Sequence, residues 1–353
     1  MRNQRGISLV ELMVSITVGL ILMTGVVQLF LSSRATFTTQ QAISRVQETG
    51  RLAMEFMSRD IRMAGYMGCM SRNLNFTNTL NNSNALAYSF DVGIQGLDNY
   101  ASAVTGYPAA RIGTDILVVR SANGLGVGVT QNNDSSQLFA QDTGTDPNGC
   151  GAGEPSLSGL CIGDVLVVAD CMKARIFQAT NLQDTGGISI NVVHSGNASG
   201  GTFEPGNAIS SWGGASGDPS EQFGPDSQII KIQTTSYYVA DGTSGRPSLW
   251  QRVGTQDPLE LLEGVEDMQL TYGRDTTGDS IPDSYVTAAV LNTANDWDSV
   301  LSVRVELLVS STDDNVLQEA QAYTFNGTTV NNPGDRRLRQ VFNSTVGIRS
   351  RLP

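Results

Sequence analysis

Residues 5–31 read RGISLVELMVSITVGLILMTGVVQLFL, and this stretch decides the fold. From Ile7 to Leu31 it holds 25 residues with a single charge, Glu11. As a helix it would extend ~37 Å, more than the ~30 Å hydrocarbon core of a bilayer. Arg2 and Arg5 precede it with no acid between, which keeps the start cytoplasmic and sends the bulk outward. A cleaved secretory signal would place small residues in an A-x-A pattern after the apolar run. Ser32-Ser33-Arg34-Ala35 has no such pattern. The chain continues as a helix.

Glu11 is the anomaly in this span. A carboxylate there costs on the order of 2–3 kcal/mol even on lenient insertion scales. No Lys or Arg lies within two helical turns on its C-terminal side. A cut between Gly6 and Ile7 would give Ile7 an α-amino group, cationic near neutral pH with a pKa of roughly 8. The new terminus of a neighbouring copy would then meet Glu11 in lipid, where low dielectric strengthens the pair. Gly6, Ile7 and Glu11 also resemble, position for position, the type IV prepilin signal. The resemblance implies that a membrane prepilin peptidase cuts after Gly6 and methylates the amine of Ile7. It further implies that Glu11 guides docking into a growing filament. Many major pilins carry a kinking proline where this chain has Gln28, so any melting of the helix would rely on Gly19 and Gly25.

Past the span, Ile43, Val46, Gly50, Ala53, Met57, Ile61 and Ala64 recur at steps of three and four, one helical face. Gly65 is the expected C-cap. Strand signals follow at Asp115–Arg120, Ile162–Ala169, Gln228–Val239, Leu261–Tyr272 and Val300–Ser310. In the last, Val303, Val305, Leu307 and Val309 alternate with Arg304 and Glu306, the pattern of a half-buried strand. The expected fold is α+β: a long N-terminal hydrophobic then amphipathic helix packed on an antiparallel β-sheet head. Its divisions are a leader at 1–6, a transmembrane or filament-core helix at 7–31, an amphipathic half at 32–65 and a periplasmic head at 66–353. Long loops are expected at 71–114, 121–160 and 195–227, with a partner-binding role for at least one.

Four strings carry a further resemblance. SRDIRMAGYMGC (Ser58–Cys69), LLEGVEDMQLTYG (Leu261–Gly273), VLSVRVELLVSS (Val300–Ser311) and RRLRQVFNSTVGIRSR (Arg336–Arg351) are similar to PilW-type minor pilins, and more loosely to J-type pseudopilins of type II secretion. The resemblance implies a subunit that initiates pilus assembly at the inner membrane and then sits at or near the tip beneath an adhesin. Implied partners are other minor pilins, the major pilin, the tip adhesin, prepilin peptidase and the inner-membrane assembly platform. Implied roles are twitching motility and adhesion, with a J-type pseudopilin as the alternative.

Composition agrees with a structural role. The 353 residues carry a net charge of −12, so broad nucleic-acid wrapping is disfavoured. One histidine, His194, removes most catalytic triads and zinc sites, and a structural or solvent role is expected for it. Gly124, Gly126 and Gly128 open no helix and so make no dinucleotide turn. No enzymatic constellation assembles. Cys69, Cys150, Cys161 and Cys171 form no C-x-x-C pair, which points to two disulfides in an oxidising compartment. An extended strand between Cys161 and Cys171 holds them too far apart to pair. Cys150–Cys161 with Cys69–Cys171 is preferred, and Cys69–Cys161 with Cys150–Cys171 is the other arrangement.

Two surface features have two readings each. Asp275, Thr277, Asp279, Ile281 and Asp283 resemble the spacing of DxDxDGxxD calcium loops, whose hard oxygens suit Ca²⁺. Thr277 and Ser280 depart from that motif, and the other reading is an acidic hairpin turn built on Gly278 and Pro282. Arg336, Arg337, Arg339, Arg349 and Arg351 form a basic cluster on an acidic protein. It is either the polar face of a terminal strand or a docking strip for an acidic neighbour or DNA.

Overall fold

Helix α1 (Leu9–Met63) runs for 55 residues, about 82 Å of rod. The computed structural model describes residues 9–68, 75–99, 110–150, 154–196, 204–209, 211–213 and 221–352. From Leu9 to Thr38 every residue of α1 is exposed. Inward positions then appear at Ala42, Val46, Gly50, Ala53, Met57 and Ile61, one face at helical spacing. The face expected to open at Ile43 opens instead at Ala42, one position earlier, and Ile43 stays 37% exposed. Gly65 ends the helix as expected, at φ +72°, which a side chain would strain. Its N–H donates to the Arg120 carbonyl at 2.8 Å, tying the helix end to the head.

Two sheets receive the buried face. The first contains β1 (Ile116–Gln131), β2 (Val165–Ala169), β3 (Lys173–Gln178), β4 (Gln228–Asp241), β5 (Pro247–Val253) and β6 (Leu259–Glu263). Strand β4 pairs antiparallel with β1, β2 and β5, while β3 adds to β2 and β6 to β5. The second contains β7 (Val265–Arg274), β8 (Val300–Ser310) and β9 (Arg339–Gly347), with β8 in the middle and Ser284–Val286 outside β7. One pairing departs from the antiparallel expectation: Asn75–Asn78 runs parallel to β3. The architecture is α+β, with a sheet-rich head on one long helix.

The main core joins these layers. Val46, Ala53, Met57 and Ile61 of α1 pack with Leu117 and Tyr237 of the first sheet and Val303, Val305 and Leu307 of the second. The alternation read in Val300–Ser310 holds here: those residues are buried, while Arg304 turns out and stacks 4.0 Å from the Tyr285 ring. Between the sheets, the buried Asp115 carboxylate accepts from the N–H of Asn99 at 2.8 Å and of Leu270 at 2.7 Å. Burial raises its pKa to about 7.

The expected loops are partly strands. β1 continues to Gln131 and is followed by Gln137–Gln141, inside the segment read as the loop 121–160. Asn75–Asn78 and Ile94–Leu97 likewise fall inside the segment 71–114. Glycines at 124, 126 and 128 lower local strand propensity; the β4 ladder pairs Gly128, and its register shifts between Val127 and Asn123, where Gly124 and Gly126 lie. The reach of β1 and β4 creates a second core, where Val127, Val129, Leu166, Phe177, Trp212 and Ile229 pack together. Much of the segment 195–227 lies outside the described residues.

Cys150 and Cys161 are joined, with Cα atoms 5.6 Å apart, as the preferred arrangement has it. Cys69, the partner expected for Cys171, lies outside the described residues. His194 is fully buried in the second core, its ring stacked on Trp212 at 3.9 Å with Phe177 edge-on at 5.5 Å. Its role is packing rather than solvation.

Neither ring nitrogen of His194 has a partner among the described residues, and burial pushes its pKa down to about 3. A depressed histidine favours its neutral form in the fold, so the stability it contributes is present above the unfolded pKa of ~6.5 and is lost as pH falls toward 3. Asp115 acts in the opposite sense, so the comparison must be between variants. In denaturant titrations of the full chain in detergent, His194→Phe should match the parent at pH 7.5. At pH 5 it should exceed the parent by about 2 kcal/mol, the product of ~1.5 pH units and ~1.4 kcal/mol per unit. Parallel pH curves for the two proteins would contradict the assignment.

Candidate functional site

The exposed half of α1 is the first candidate. Its most apolar 18-residue window has a mean hydropathy of 2.2, and none of that window is buried within the chain. Leu9, Leu20, Ile21 and Leu29 each leave more than 60% of their surface open. Burial of such side chains is worth ~25 cal/mol per Å², so a half-helix of this kind needs lipid or other subunits around it. Hydroxyls within it bond back to the helix: Ser15 donates to the Glu11 carbonyl at 2.7 Å and Thr24 to the Leu20 carbonyl at 2.8 Å. These back-bonds remove polar donors from an apolar rod.

Glu11 sits in the first turn of α1 and is exposed. Among the described residues no cation pairs with it. Gly6 and Ile7, the expected cut and methylation positions, lie outside the described residues. The helix is unbroken through Gly19 and Gly25, so neither marks a melted segment in the single chain.

The junction of helix and head is the second element. Gly50 lies against Phe342 of β9 so closely that an added Cβ would fall 2.3 Å from the ring. Thr39 donates to the Val316 carbonyl at 2.9 Å, and Ser350 to the Ala64 carbonyl at 2.8 Å. Between them, the Tyr237 hydroxyl donates to Asp60 at 2.7 Å and accepts from Gln251 at 2.9 Å. Burial raises the Asp60 carboxyl above its ordinary range. Sequence reading missed Asp60, Tyr237 and Gln251 because nothing in their spacing announces a contact 177 residues apart. The tilt of the exposed rod is fixed by these contacts.

The remaining candidates resolve individually. Asp283 accepts from the Thr276 N–H at 2.6 Å, the Thr276 hydroxyl at 2.7 Å and the Thr277 N–H at 3.1 Å. Those bonds hold its carboxyl below the ordinary range. Asp275 accepts from the N–H groups of Gly278 and Ser280, and Asp279 from that of Ile281. Ser280 itself adopts φ +67°, the conformation glycine holds in the calcium motif it departs from. Among the described residues no three of His, Cys, Asp and Glu converge as a metal-holding group. Of the basic tail, Arg339 is buried between Glu266 at 2.7 Å and Asp335. Arg351 donates to the Val300 carbonyl at 2.8 Å. Arg336 bonds Asn315. These three brace the second sheet, and Arg349 stays free of ion pairs among the described residues.

Comparison with known families follows this division. Residues 1–27 match the model of the prokaryotic N-terminal methylation motif. An apolar N-terminal helix carrying that motif, fixed to a sheet-rich head, fits a membrane-anchored pilin of the type IV kind. Residues 236–350 match the model of type IV pilus-assembly protein W, a span that runs from the end of β4 through the whole second sheet. Together the two matches support a PilW-type minor pilin. No curated protein and no solved structure gives a significant match. The second core lies almost wholly outside both matched spans.

Two measurements probe the site. Gly50→Val should destabilise the head by about 1–2 kcal/mol, overpacking outweighing the small gain in helix propensity. Adding Phe342→Ala should restore part of that loss. Independent, additive effects would show that the two residues are not in contact. For the acidic loop, calorimetric titration of Ca²⁺ into the chain, with Asp279→Ala as control, separates its two readings. Heat that vanishes in the variant supports the metal. A flat titration supports the hydrogen-bonded turn.

Proposed function

We propose that this chain is a structural, non-catalytic minor pilin that helps initiate assembly of a type IV pilus. In this reading it sits at or near the tip beneath an adhesin and supports twitching motility and adhesion. Prepilin peptidase removes residues 1–6 between Gly6 and Ile7 and methylates the new amine. Before assembly the head faces the periplasm from a single inner-membrane span. After assembly the same span is buried among the helices of other minor pilins and the major pilin.

The observation that supports the reading is α1 itself. Thirty consecutive residues from Leu9 to Thr38 are exposed, and near their start stands one acid without a cation among the described residues. Lipid satisfies the apolar side chains but not Glu11. A filament satisfies both, because the adjacent helix brings its cationic terminus to the acid. Because Glu11 is present, this subunit can accept another subunit's amine and need not be the outermost one. The match over the second sheet favours the pilus over a J-type pseudopilin of a secretion system.

Glu11→Ala tests the register role directly. The variant should insert in the membrane as well as the parent, or better. It should fail to co-purify with other pilus subunits and should reduce surface piliation. Normal piliation and normal co-purification would overturn it.

A further inference from the structure

A cleft of about 950 Å³ runs between α1 and the space separating the two sheets. Arg51, Arg59 and Arg62 line it from the helix and Arg349 from the end of the head, while Asn343 and Ser344 of β9 form its rim. Opposite them stand the polar side chains Ser121 and Gln233 of the first sheet. Its two acids, Glu55 and Asp60, do not neutralise it, since they face four guanidinium groups, and Asp60 also accepts from Tyr237. None of the four is in an ion pair among the described residues, although Arg111, Arg175, Arg246, Arg274 and Arg339 all find carboxylates elsewhere in the head. In a chain of net charge −12, a cleft with four arginines against two carboxylates is a local reversal of sign.

The rim has a second property. Among the described strands β9 pairs only with β8, so its other edge is open along Val341–Gly347. The ladder with β8 is continuous over nine residue pairs, without a bulge to twist the edge away. Neither Pro nor Lys blunts the edge, the devices by which strand edges are usually protected. Asn343 and Thr345 are exposed on it. An open strand edge recognises an extended backbone.

The charge spacing fits such a ligand. Arg51, Arg59 and Arg62 share one face of α1, with Arg51 and Arg59 about 12 Å apart along the axis. In an extended peptide, side chains at i and i+4 share a face about 13 Å apart. We propose that this cleft docks an extended acidic segment of a neighbouring polypeptide, which adds to the free edge of β9 as a strand and sets its carboxylates against the arginines of α1. The proposal does not depend on how the N-terminus is processed, since α1 beyond Ala42 and the head build the cleft alone.

Fluorescence anisotropy on the full-length chain in detergent micelles tests it. The probe is a labelled nine-residue peptide in which Asp alternates with Thr. Binding should saturate, and should weaken at least tenfold with Arg51→Glu plus Arg59→Glu, both exposed positions whose exchange leaves the melt unchanged. A peptide with Lys in place of Asp should not bind. Methylating alternate amide nitrogens of the acidic peptide, in each of its two phases, tests strand addition on the unaltered protein. One phase should lose at least tenfold, since only alternate N–H groups face the edge. Equal binding by both methylated peptides, or by the double variant, would overturn the proposal. So would tighter, competing binding of a nine-nucleotide oligo-dT, which would assign the cleft to nucleic acid.

Discussion

A helix that is half embedded in its own head and half unpartnered is the constraint on which the rest of this structure depends. The apolar half of α1 contributes nothing to the stability of the chain that carries it. Its surface is favourable only in an environment as apolar as itself, and lipid and a bundle of like helices both qualify. Glu11 makes the two environments unequal. In lipid alone the acid is a cost, whereas beside a second N-terminus it becomes a directional contact. In the proposed assembly, transfer from membrane to filament would exchange similar apolar surroundings while gaining an ion pair. That balance suits a subunit that must wait in a membrane and leave it on assembly.

The head serves this rod by holding it rigidly. Ridges of small residues at Ala42, Gly50 and Ala53 let the sheet approach closely, with Phe342 seated over Gly50. Asp60, Tyr237 and Gln251 add a polar clamp whose members lose hydrogen bonds if the helix shifts. The second sheet carries the buried Arg339 between two carboxylates, an arrangement that fixes geometry more than it adds stability. The span matched by the PilW model coincides with this bracing sheet rather than with the second core.

Much of this was legible in the sequence, for reasons that differ by element. The membrane span, the acid within it and the buried face beyond Ala42 each follow from periodicity and charge, which are local properties. The alternation from Val303 to Val309 was equally readable. The extension of β1 through Gly124, Gly126 and Gly128 was not, because those residues have weak strand preference and the β4 pairing that resumes at Val127 and Gly128 is set by residues about 100 positions later. His194 was given a structural or solvent role, yet its stacking on Trp212 could not be read from two residues 18 positions apart. The arginine cluster near the end divides on inspection. Arg339 and Arg351 brace the head, while Arg349 faces a cleft whose other arginines come from a helix some 300 residues earlier.

The central claim is that the exposed rod ends in a newly made cationic terminus that serves a neighbour's Glu11. Mass spectrometry of the mature polypeptide, recovered from assembled pili with its N-terminal peptide sequenced, tests this most directly. The account requires a chain beginning at Ile7 with a single methyl group on its amino nitrogen. A mature chain that begins at Met1, or at any residue past Leu31, would contradict it.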